Sequence, residues 1–177
     1  QIMSKDESLG YKYITEHNKL ISENVESYKG ELLKELGDGC LLIFNSAYDA
    51  LNFSKHIQKI INKDKNFKVR IGIHLGDIMK EGNDYFGSGV NIASRINSFA
   101  DPGGICITQD IYSQIKNHTD IKTDDLGFKT IKGISEKLNI YNVQLGQNTN
   151  EEKKEEEEES SLLKDIFQRR MPQFIGV

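Results

Sequence analysis

DYFGSGVNIASRI, residues 84–96, decides how this chain is read, because an acidic residue, two glycines and a short helical pattern run together in it. Asn91, Ser94, Arg95 and Ser98 share one helical face, while Val90, Ala93, Ile96 and Ala100 share another. A stripe of that kind anchors a helix on a core and leaves the polar row on display. Gly87 and Gly89 precede the helix and let backbone come close to its first turn, where free N–H groups favour an anion. On pattern alone, the plainer reading of a solvated face behind a glycine loop is the favoured one.

Upstream, Ser4 with Glu7 makes a capping box, and Tyr13, Ile14, His17, Leu20, Ile21, Val25 and Tyr28 follow at helical spacing, which predicts one amphipathic helix over 4–28 that ends at Gly30. His17 falls on its apolar face and reads as core. Residues 31–36 and 40–44 read as strands around the turn Gly37-Asp38-Gly39, a hairpin with Asp38 at its tip. Ser46 can cap a helix that turns Ala47, Ala50, Leu51, Ile57, Ile60 and Ile61 inward. Alternation over 67–75 predicts a strand, with His74 as a packed histidine beside Gly72 and Gly76, since no His or Cys stands at ligand spacing.

Downstream, Asp101-Pro102-Gly103-Gly104 is a turn, 105–108 a buried strand and 109–116 a short helix. Residues 121–131 and 138–145 read as closing strands joined by a turn at Lys132-Gly133. This order predicts an α+β sandwich, with helices packed on a mostly antiparallel sheet.

The 177 residues allow one medium domain with an appendage, and 37% apolar content suffices for a core. The net charge of −4 is concentrated in an acidic run near the C-terminus; the remainder is nearly balanced, which argues against a nucleic-acid binder. Cys40 and Cys106 sit in apolar runs without CxxC spacing and read as reduced, structural thiols of a cytoplasmic protein. The organisation expected is a domain over 1–146, an acidic linker over 147–161 and a short amphipathic helix within 162–177. Arg169-Arg170 before the apolar run from Phe174 suits equally a frayed tail or the cytoplasmic flank of a membrane anchor beyond Val177, which would tether the protein to the cytoplasmic face of a membrane. A chain that opens on Gln1 reads as a piece of something longer.

In the segments KELGDGCLLIF (34–44), VRIGIHLGDI (69–78), GNDYFGSGVNIASRI (82–96), DPGGICIT (101–108) and IKGISEKLNIYNV (131–143), the chain resembles the class III nucleotidyl cyclases, the catalytic domains of adenylate and guanylate cyclases. A lone GDG is weak, but five ordered matches from about Ser4 to Val143 are specific. The resemblance implies a ferredoxin-like cyclase sandwich that works as a homodimer with its active sites at the subunit interface. It implies that Asp38 is one of two aspartates holding a pair of Mg2+ or Mn2+ ions, that Arg95 stabilises charge on the α-phosphate and that Asn91 orients the ribose. Lys34 and Asp84 match the two positions that read the base, and Lys132 stands near a turn that sends a lysine to the triphosphate, with Ile134 the competing register.

Adenine presents an acceptor at N1 beside a donor at its amino group, and guanine the reverse, so a lysine donor next to an aspartate acceptor favours ATP. The activity implied is adenylate cyclase. The first metal aspartate of the family lies on a strand upstream of the first helix, in a segment resembling F-x-D-I-x-G, and this sequence begins after it. The expectation is a chain inactive by itself, short of one metal ligand and one central strand. The alternative is a catalytically degenerate cyclase-homology domain that senses nucleotide or dimerises. An RNA-binding sheet is disfavoured by the lack of paired exposed aromatics, and a diguanylate cyclase by the lack of a GGDEF-type turn.

Overall fold

The computed structural model describes residues 7–37, 39–64, 67–82 and 84–146. Two compact units divide at Gln144, and of the second only Leu145 and Gly146 are described. The linker and terminal helix expected over 147–177 lie outside the described residues, as do Ser4 and Asp38.

The first unit runs α1 (Glu7–Asn24), a 3-10 turn (Val25–Tyr28), β1 (Gly30–Leu36), β2 (Gly39–Phe44), α2 (Ala47–Ile61), β3 (Ile71–Ile73), β4 (Met79–Glu81), β5 (Asp84–Phe86), α3 (Ser88–Ile96), a 3-10 turn (Asn97–Phe99), β6 (Ile105–Thr108), α4 (Gln109–Ile115), β7 (Thr123–Thr130) and β8 (Lys137–Val143). β3, β6, β8 and β7 form one sheet in that order, while β1–β2 and β4–β5 are separate hairpins. All pairings are antiparallel except β3 with β6, whose parallel connection is supplied by α3. This is the α+β architecture that the element order predicts. No helix among the described residues is long and apolar enough to cross a membrane.

Local chemistry explains most boundaries. Ser46 is extended (φ −139°, ψ 136°), and its hydroxyl accepts from the N–H groups of Tyr48 at 3.2 Å and Asp49 at 3.4 Å, so it caps α2 as expected. Along α2 Phe53 is buried, whereas Ile60 is only half-buried. The first helix stops before Gly30: Lys29 takes the left-handed conformation (φ 57°), and Gly30 opens β1 because a Cβ there would strike the Phe44 ring.

Expected over 67–75, the third strand pairs only at 71–73. Its approach is held otherwise: fully buried Gln58 donates to the carbonyls of Val69 and Gly104, and Gly103 N–H donates to Val69. Phe67 and Val69 pack instead on the core of α1 and α2, around Ile21, Val25, Phe53, Ile57 and Ile61. Across the molecule a second core joins Ile92, Ile96 and Ala100 to Cys106, Ile131 and Ile140. Both cysteines are free thiols, and burial pushes each up to about 11, so they behave as structural groups.

At two glycines the main chain of α3 and of the turn after it comes close to the main chain of β3 and the segment after it. A Cβ on Gly72 would lie 2.7 Å from Asn97 N and 2.8 Å from the Ala93 carbonyl; one on Gly76 would lie 2.6 Å from the Gly89 Cα. These glycines form a seam on which the helix rests directly on main chain.

Candidate functional site

Lys34 and Asp84 are fifty residues apart and meet. A bulge between Leu32 and Lys34 shifts the β1 register and re-aims the strand. Asp84 opens β5, which pairs with β4 through a tight turn in which Gly82 is left-handed (φ 61°). Lys34 Nζ lies 2.5 Å from Asp84 Oδ1, and both side chains are about half exposed, at 44% and 50%. The sequence suggests a loop before α3. The structure instead forms a hairpin there, because Met79, Lys80 and Glu81 find partners in Phe86, Tyr85 and Asp84. Its strands are short and largely exposed, which leaves no alternation to detect; the Gly82-Asn83 dipeptide was the available signal.

The turn into α3 depends on Gly87. Its φ of 143° is open to glycine, and a Cβ would run into the Asp77 carbonyl. Asn91 N–H donates to the Gly87 carbonyl at 3.3 Å, and the Asn91 side chain is exposed. Gly89, Ile92 and Ile96 are the buried positions of the helix, so its inward stripe is centred on Ile92 rather than on Val90 and Ala93, which are half-buried. The serines of the polar row bond back to the helix: Ser94 Oγ donates to the Asn91 carbonyl at 3.0 Å and Ser98 Oγ to the Arg95 carbonyl at 2.7 Å.

Arg95 Nη1 donates to the backbone carbonyl of Lys132, in the turn after β7. That turn is closed by Ile134 N–H on the Ile131 carbonyl at 3.0 Å, and Gly133 within it is left-handed (φ 74°). The Lys132 side chain is exposed, while Ile134 packs on the core of Ile92 and Ile96. An open groove of about 410 Å3 runs beside these groups, lined by Arg95, Ser98 and Phe99 on one side and Thr130, Ile131 and Lys132 on the other.

Asn18 fixes the hairpin that carries Lys34. Buried in α1, it donates through Nδ2 to Glu35 Oε2 at 2.8 Å and accepts at Oδ1 from Cys40 Sγ at 3.2 Å, with His17 Nδ1 3.1 Å from the same oxygen. Glu35 and Cys40 are cross-strand partners, so one amide bridges both strands. Burial holds His17 below the usual imidazole range, against its contact with Asn18. Half-buried His74 is held low for the same reason, with the Asp110 carboxylate opposing; its Nδ1 lies 3.0 Å from the Thr108 hydroxyl. Both histidines are therefore packed groups.

For metal, the described residues contain no group of three His, Cys, Asp or Glu side chains able to enclose an ion. Mg2+ keeps several waters and takes one or two carboxylates together with substrate phosphates rather than a protein cage, and Asp38 lies outside the described residues.

The sequence profile described as the adenylate and guanylate cyclase catalytic domain matches residues 10–145. A putative adenylate cyclase 3 from Rhizobium meliloti is 34% identical over 149 residues, which cover 80% of this chain and 25% of the relative. The chain thus spans about a quarter of that relative's length. The crystal structure of an adenylate/guanylate cyclase/hydrolase from Silicibacter pomeroyi superposes with a TM-score of 0.72 at 27% identity, covering 80% of this chain and 87% of that one. An adenylate cyclase of Trypanosoma brucei in its monomeric state gives 0.73 at 18% identity, covering 84% of each chain, and speaks for the fold alone.

Proposed function

From the premise that this chain belongs to the adenylate and guanylate cyclase catalytic domain family, we propose that it is an adenylate cyclase, converting ATP to 3',5'-cyclic AMP and pyrophosphate. The observation that carries the choice of ATP is the Lys34–Asp84 pair, a donor beside an acceptor at 2.5 Å. Each partner keeps capacity after pairing: the ammonium has two further protons and the carboxylate further lone pairs. Together they suit adenine, whose amino group would donate to Asp84 and whose N1 would accept from Lys34; guanine would set donor against donor and acceptor against acceptor.

In the reaction the ribose 3'-oxygen loses its proton and bonds to the α-phosphorus, the bond from that phosphorus to the β-bridging oxygen breaks, and pyrophosphate leaves. Asn91, exposed one turn before Arg95, orients the ribose. Arg95, a permanently charged fork of donors, offsets charge building on the α-phosphate. Lys132 reaches the triphosphate from its turn. Asp38 would hold Mg2+ or Mn2+, a pair of ions per complete site, which when bound supply Lewis acidity and lower the pKa of the attacking hydroxyl. Two copies of the complete catalytic domain would form the site at their shared interface.

The test is cyclic nucleotide formation from ATP and from GTP, with Mg2+ or Mn2+, by the full-length protein beside its Arg95→Ala variant. Cyclic AMP from ATP, reduced by about 100-fold or more in the variant, is the expected result. Equal use of GTP would overturn the base-reading role. No product from either nucleotide by a folded dimer would move the reading to a degenerate, nucleotide-sensing domain. Removing metal with EDTA should abolish turnover, and adding Mg2+ should restore it.

A further inference from the structure

We propose that Gly133 is the positioning residue for Arg95, a role that rests on the cyclase reading for its meaning but not for its test. The guanidinium is held by the Lys132 carbonyl, and that carbonyl is presented by a turn whose next residue is left-handed. A Cβ on Gly133 would stand 2.8 Å from Arg95 Nη1, with Cζ at 3.6 Å and Nη2 at 3.7 Å. The three nearest atoms to that position therefore all belong to a single side chain. The missing methyl leaves the volume that the guanidinium fills. Any side chain at 133 would displace the Arg95 guanidinium by tenths of an ångström or more, besides straining the left-handed turn.

The molecule contains its own control. Gly127, in β7, has the same φ of 74° and nothing within 4 Å of the position its Cβ would take. Alanine at either site imposes the same backbone strain, and only at 133 does it also push on Arg95. The contrast between the two variants isolates the effect on the arginine from the cost of the turn.

In the full-length protein, Gly133→Ala and Gly127→Ala are compared with the parent by three readouts. The first is phenylglyoxal labelling of Arg95, mapped by peptide mass spectrometry and normalised to the exposed Arg70. Labelling of Arg95 should rise several-fold in Gly133→Ala and stay at the parent's rate in Gly127→Ala. Second, kcat for cyclic nucleotide formation should fall by about tenfold or more in Gly133→Ala alone, with KM for nucleotide unchanged, because the displaced group acts on the transition state. Third, the melting temperature lost by Gly133→Ala beyond that lost by Gly127→Ala should vanish when both are made in an Arg95→Ala background. Should Gly133→Ala fail to fold, recovery in that background supports the proposal and failure there overturns it. Labelling that is unchanged, or raised equally in both variants, also overturns it. A parent that makes no cyclic nucleotide would defeat the proposed function, while the labelling and the melting cycle still decide on Gly133.

Discussion

The four-stranded sheet and the β1–β2 hairpin each present part of the candidate site, and they are held by different means. β6 is buried along its whole length and carries a ladder on each side, with α3 packed on its neighbour through main chain. The hairpin has half-buried residues along β2, and no ladder joins it to the four-stranded sheet among the described residues. Its connection to the rest includes α1, through the amide of Asn18. Arg95 thus stands on a stiff frame, and Lys34 on an element whose pose a helix sets. The difference teaches that the Arg95 side of the candidate site is held by the sheet and its core, while the Lys34 side is tied through α1.

The comparison breaks most visibly in the core. Ile140 is fully buried in β8, so Ile140→Ala should cost about 2–5 kcal/mol in urea unfolding, and half-buried Leu42→Ala in the hairpin well under that. Equal losses would mean that the hairpin is as much a part of the frame as the sheet. Asn18→Leu comes next, at about 1–3 kcal/mol, because it removes the buried amide that bridges Glu35 and Cys40 across the two strands. A loss no larger than that of an exposed substitution such as Lys12→Met would remove Asn18 as the tie.

Acid sharpens the contrast, since one packed histidine serves each region. Burial lowers the folded-state pKa of His17 and of His74, so below about pH 6.5 the unfolded chain takes up more protons and stability falls as pH falls. Each contributes a slope no steeper than about 1.4 kcal/mol per pH unit, and His17→Gln and His74→Gln should each flatten the acid limb of a stability–pH curve. An unchanged limb in both variants would show that neither imidazole is held neutral. The smallest effect on stability belongs to the Lys34–Asp84 pair, whose half-exposed partners contribute under about 1 kcal/mol. Lys34→Glu with Asp84→Cys should therefore melt close to the parent while losing preference for ATP; retention of that preference would end the base-reading role.

Much of this was legible in the sequence. The capped α2, the buried β6 and the turn at Lys132-Gly133 follow from a cap, an apolar run and a left-handed glycine, all local signals. Nine residues of α3 span too few turns for periodicity to say where its stripe is centred, hence the missed Ile92. Phe67 and Val69 alternate as a strand would, but tertiary packing on α1 and α2 claims them. The hairpin around Asp84 is short and mostly exposed, so patterning carried no trace of it. Lys34 and Asp84 were each singled out, yet the bulge that turns one strand toward the other has no sequence mark beyond ordinary residues. The grip of the Lys132 carbonyl on Arg95 is a main-chain contact and invisible to residue types.

The glycine seam under α3 has a consequence for how such a domain can diversify. Where backbone comes this close to backbone, van der Waals radii at Gly72, Gly76 and Gly89 limit the height of the helix, beside the packing of Ile92 and Ile96. Exchanges at Lys34 or Asp84, which stand on β1 and β5, then leave α3 where it was. Substitution at Lys34 or Asp84 and substitution at the three glycines are then separable changes, the second alone acting on the seating of the helix that carries Asn91 and Arg95.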